Sequence, residues 1–116
     1  MTEDGVATTI RMAIGGDAVA SAWLVEHADG SDDARIVTMA AVIERRPSSL
    51  ARARSIATTV RNRQVVAIAR AHLADDHDLV DALARDHLVD HPDSLIVAWI
   101  ASGGASRAMP DEAGSP

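Results

Sequence analysis

Short apolar blocks separated by polar breaks organise the chain, and most of the blocks repeat at helical spacing. Gly15-Gly16-Asp17 reads as the end of one segment and the N-cap of the next, AVASAWLVEHA, in which Val19, Ala22 and Trp23 share a face. The run ADGSDD, Ala28 to Asp33, is a turn whose Ser and Asp suit another N-cap. ARIVTMAAVIERR then sets Ile36, Met39, Ala40 and Ile43 at helical spacing, with Arg45 and Arg46 in a last turn that favours cations. Pro47-Ser48-Ser49 stops that segment. LARARSIATTVRN places Leu50, Ala53, Ala57 and Val60 on one stripe, and VVAIARAHLA follows with no strong breaker between. Asp75-Asp76 is the next turn, and Pro92-Asp93-Ser94 precedes a final apolar block, LIVAWIAS. The reading is short helix, turn, short helix: an all-α fold of antiparallel hairpins. A second reading stays open. ATTIRMAI, ARIVTMAAVI and SLIVAWIAS are β-branched enough to be strands, which would give a small α/β or α+β domain with 94–102 as a strand.

Composition sharpens the first reading. The 116 residues suit one domain with a thin core. There is no Phe or Tyr, and the core is left to Ala, Val, Leu and Ile with Trp23 and Trp99 as anchors; such small side chains favour closely packed helices. Residues 1–5 and 103–116 are polar or rich in Gly, Ser and Pro, so they are expected as disordered ends around a single domain at 6–102. No Cys is present, which rules out disulfides and thiolate chemistry in this chain. The net charge of −6 argues against nonspecific binding to nucleic acid or anionic membrane. An acidic start without a basic n-region, and no apolar run long enough for a bilayer, point by default to the cytoplasm.

From residue 61 to 102 the sequence resembles a tetratricopeptide-type helical hairpin. VVAIARAHLADDHDLVDALARDHLVDHPDSLIVAWIA contains a helix, an acidic two-residue turn, a second helix and a closing Pro, with the family's spacing from turn to Pro. Asp75 replaces the usual turn Gly, Val80 and His87 occupy positions where small residues are expected, and the aromatic signature of the first helix is missing. GGDAVASAWLVEHADGSDDARIV echoes the pattern upstream. The resemblance implies a fragment of an α-solenoid whose first helices line a concave, partner-binding surface; carried across, the groove-facing positions are Asn62, Val65, Ala69 and His72.

Candidate chemistry is sparse. Asp75 to Pro92 holds six Asp and three His, with His87 and His91 one helical turn apart, a spacing that two metal-ligating imidazoles use. His87 also falls on the apolar stripe of Val80, Leu83 and Ala84, where a packed imidazole is the ordinary outcome, and no HExxH or third-ligand motif accompanies it. Four of the five His lie among carboxylates, which favours the protonated form and suggests pH sensing. Residues 45 to 70 carry seven Arg and no acid, whereas 75 to 93 carry seven Asp and one Arg. Either the two segments pair their charges, across the hairpin or with a second subunit, or the Arg45–Arg70 segment is an Arg-lined face for nucleic acid or an acidic partner; a helix-turn-helix nucleic-acid reader is weakened by the acidic total and the want of stacking aromatics. No phosphate loop, nucleophile elbow, cofactor fingerprint or metal motif is present, so catalytic, cofactor and metal residues are assigned to none. The expected function is a small interaction module presenting a helix-lined surface to a protein partner or to a second copy; the alternative is an α/β domain with a small-molecule or catalytic pocket.

Overall fold

Capped turns divide the computed structural model, which describes residues 3–103, into seven helices: α1 (Glu3–Ile14), α2 (Ala18–Ala28), α3 (Ala34–Glu44), α4 (Ser49–Ile56), α5 (Val60–Leu73), α6 (His77–Asp90) and α7 (Leu95–Ala101). Side chains are described from Gly5 onward. No strand occurs among the described residues. α1 begins at Glu3, ahead of residue 6, while the expected loose ends at 1–2 and 104–116 lie outside the described residues.

Local chemistry sets the boundaries. Gly16, at φ 101°, turns the chain after α1, and the Asp17 carboxylate accepts from the Val19 and Ala20 amides to start α2. Asp33 caps α3, Thr59 caps α5 by accepting from the Asn62 amide, and Asp76 caps α6 by accepting from that of Leu79. Asp75 takes φ 59°, the left-handed conformation that a turn Gly would supply and that Asp tolerates better than most residues. Arg45, at φ 51°, closes α3 in the same way, so Arg45 and Arg46 follow that helix rather than forming its last turn.

The all-α reading holds, its strand alternative falls, and two further expectations are corrected. Residues 94–102 are not a strand: Ile96, Val97 and Ile100 are buried while Leu95 and Ala98 are exposed, the spacing of one helical face. The stripe through Leu50, Ala53, Ala57 and Val60 is broken at 57–59; Thr59 caps a new helix and leaves Val60 exposed. The buried face of α2 is Ala20, Leu24 and Ala28, with Trp23 half-buried and Val19 80% exposed. Nearly every side chain of that helix is small or apolar, so hydrophobicity alone does not select a face.

α3 is the central element. It packs against α1, α2, α4 and α5, and its run from Ile36 to Val42 is buried on all sides. Arg52 ties α4 to the α2–α3 turn by donating to the carbonyls of Ala28 and Ser31. α5 packs against α3, α4, α6 and α7, and α7 returns to touch α1. The odd-numbered helices therefore contact one another in succession, α1 to α3 to α5 to α7, and the last contacts the first. No described helix is long and apolar enough to cross a membrane.

Candidate partner-binding cleft

The ring of odd-numbered helices surrounds a cavity of about 610 Å³, within the range typical of ligand sites. α1 contributes Ala7, Ile10 and Arg11; α3 contributes Arg35; α5 contributes Arg61, Asn62 and Val65; Asp93, Ser94, Leu95 and Ile96 close it from the α6–α7 turn and the start of α7. Its floor is the edge of the core, for Ile10, Val65 and Ile96 are buried.

Asn62 and Val65, two of the four positions expected to face a groove, line this cavity. Ala69 and His72 do not. Ala69 is fully enclosed, and His72 is 6% exposed with its Nε2 buried and without a hydrogen-bond partner. Both lie one and two turns further along α5 than Val65, where helices pack closely on α5 and the opening has ended.

Of the three arginines of the walls, sequence reasoning had singled out Arg61 only as part of the Arg45–Arg70 segment and missed Arg11 and Arg35. A local signal existed for two of the three. Arg35 and Arg61 are each the second residue of a helix, where a cation opposes the positive end of the helix dipole by about 0.3–1 kcal/mol. Each has an Asp for compensation. Arg35 donates through Nε (3.1 Å) and Nη2 (2.7 Å) to Asp33, a two-point fork. Burial raises the Asp33 pKa, but the side-chain hydrogen bonds and charge of Arg35, with backbone amides at the helix start, outweigh it and hold the carboxyl below its usual range. Arg61 reaches Asp93 at 3.3 Å in a more exposed pair. The Arg11 guanidinium makes no hydrogen bond or ion pair among the described residues. The Arg-rich and Asp-rich segments are thus joined by Arg45–Asp75 and Arg61–Asp93, while Arg52 and Arg63 are spent on backbone carbonyls.

Behind the cleft lies a buried polar relay. His87, 2% exposed, donates from Nδ1 to the Gln64 side-chain oxygen Oε1 (2.7 Å), leaving Nε2 to accept from the Ser94 hydroxyl (3.2 Å). Ser94 is the N-cap residue of α7, yet its hydroxyl does not cap that helix. It serves His87 instead. Both ring nitrogens of His87 are thereby occupied, and the ring lies tilted by 38° against His91, centroids 4.8 Å apart. The expectation that carboxylates hold this histidine protonated is reversed. Burial lowers its pKa first, His91 and Arg61 lower it further, and Asp90 and Asp93 do not make up the difference. His72 is lowered likewise, by burial and then by Arg45. Among the described residues, no group of three or more His, Cys, Asp or Glu is placed to hold a metal ion.

The geometry offers a concave surface with an apolar floor and arginine-bearing walls. No family model, curated protein or solved structure was found to match the chain.

Proposed function

We propose that the protein is a small interaction module of tetratricopeptide-like hairpins that receives a segment of a protein partner in the cleft between α1, α3, α5 and α7. One observation carries the reading: every helix contributing to the cavity is odd-numbered, the counterpart of the groove-lining helix in each hairpin. An apolar floor backed by the core, rimmed by charged and amide side chains, suits a surface that buries a partner's apolar side chains and pairs its polar ones.

Selecting binders to the full chain from a random peptide library tests it. Enriched peptides should bind with micromolar dissociation constants, equivalent to about −8 kcal/mol. Ala7→Trp, which fills the cavity from its half-buried wall, should abolish that binding while leaving the helical circular dichroism unchanged. Peptides that bind the variant as well as the parent would place recognition elsewhere and overturn the reading.

A further inference from the structure

We infer that the occupant of the cleft is an acidic segment of the partner, its carboxylates received by Arg11 and Arg61; this rests on the cleft being the interaction surface proposed above. The chain carries a net charge of −6, yet the cavity walls hold Arg11, Arg35 and Arg61 against a single acid, Asp93. That concentration runs against the composition of the molecule and against the preference of two helix starts for anions. The charges also differ in how firmly they are held. Arg35 is fixed by the Asp33 fork and shapes the wall. Arg61 is held by one contact of 3.3 Å to an exposed carboxylate, so an incoming carboxylate can take the place of Asp93. Arg11 has no charge partner among the described residues. The side-chain amide of Asn62, half-buried in the same wall, makes no hydrogen bond there and supplies a further donor.

The neighbouring surface limits the ligand's length of charge. A second depression of about 350 Å³ shares Arg35 and Asn62 with the cleft and is bordered by Asp32 and Asp33. A long polyanion would run onto those acids, whereas a short acidic cluster would not. Leu95, 40% exposed at the start of α7, and the floor of Ile10, Val65 and Ile96 suit apolar side chains interleaved with the acids. No aromatic side chain lines the cavity to stack a base, which favours a peptide over nucleic acid.

The probe is a fluorescein-labelled, end-capped peptide of alternating Glu and Leu, compared with counterparts carrying Gln or Lys for Glu. A labelled DNA duplex is the fourth arm. Anisotropy with the full chain should show the Glu peptide bound about tenfold more tightly than the Gln peptide, and the Lys peptide unbound. Binding should weaken as salt rises from about 50 to about 500 mM. Arg11→Gln, at an exposed position, and Arg61→Gln should each remove most of the Glu preference, with thermal unfolding reporting that each variant is folded. Equal binding of the Glu and Gln peptides, both lost in Ala7→Trp, would leave the module reading standing and overturn the acidic partner. Failure of all three peptides would overturn both. Duplex DNA binding more tightly than the Glu peptide, through Arg11, would also overturn the acidic partner.

Discussion

At the scale of single residues, His87 is the packed imidazole that its place on the apolar stripe suggested. A tetratricopeptide-type helix would want a small side chain there, and a metal site would want a free ring nitrogen. The protein has neither; it buries the ring and engages both nitrogens with Gln64 and Ser94. His87→Ala would leave a cavity and the buried Ser94 hydroxyl without its partner, so it should destabilise by about 2–4 kcal/mol in urea unfolding. Acid should act on the same bonds. His87 and His72 both have folded pKa values below the ordinary histidine value near 6.5. The unfolded chain therefore binds more protons as pH falls below that value, and the folded state loses stability from there down toward the two folded pKa values. Above about pH 7 the contribution is constant. Urea midpoints measured between pH 5 and 8 should rise and then level off, and His87→Gln should flatten part of the rise. A profile independent of pH would contradict this account. The burial of His87 was legible from its place on the apolar stripe, but the sign of the shift was not, because seven Asp around these histidines argued for the opposite.

At the scale of elements, the helices were largely readable and their exposed faces were not. Turns announced themselves through residues with a mechanism: Asp17, Asp33 and Asp76 each accept a backbone amide where the sequence placed a cap or, for Asp76, a turn. The 57–59 break escaped notice because Thr-Thr is a weaker signal than Gly or Pro, although the Thr59 hydroxyl performs the same capping. α3 illustrates the reverse problem. Its apolar run could be read as a strand, and the Asp33 cap at one end with the left-handed Arg45 at the other marks it as a buried helix. Asp33 has two tasks, capping α3 and holding Arg35 in the cleft wall. Asp33→Ala should lower stability by about 1–2 kcal/mol at pH 7. Its carboxyl titrates below the usual range in the folded state, so this contribution is present above about pH 4 and fades as pH falls through the folded value. Comparing parent and variant unfolding at pH 7 and pH 3 should show the difference shrinking. Gly16→Ala, by contrast, should cost about 1 kcal/mol at any pH, since φ 101° strains any residue with a Cβ even though nothing crowds the site.

At the scale of the whole molecule, the candidate site is a product of closure. Asn62 and Val65 were reached through a family resemblance, but the meeting of Arg11, Arg35 and Arg61 brings together three helices that no local pattern connects. That information resides in the tertiary arrangement. The ion pairs seen are at least partly exposed, so they contribute little to holding it, and the buried apolar faces do the work. Ile100 is 1% exposed on α7. Ile100→Ala should destabilise by about 2–5 kcal/mol in thermal or urea unfolding, whereas changing salt from about 50 to about 500 mM should shift unfolding by less than about 1 kcal/mol.

The return of α7 to α1 also dictates an order of events in time. Most helices pack on neighbours in the chain and can form through short loops, but this contact joins the two ends of the described structure. Its loop-closure entropy is the largest in the fold, and seven residues of helix have little local cooperativity to offset it. The seam between α1 and α7 therefore closes last during folding and opens first under native conditions, ahead of α3. Hydrogen exchange should find the amides of α7 opening at a lower free energy than those at the centre of α3. Each such opening dismantles a wall of the cleft, so a bound segment bridging α1 and α7 would act as a latch and slow exchange in α7 most.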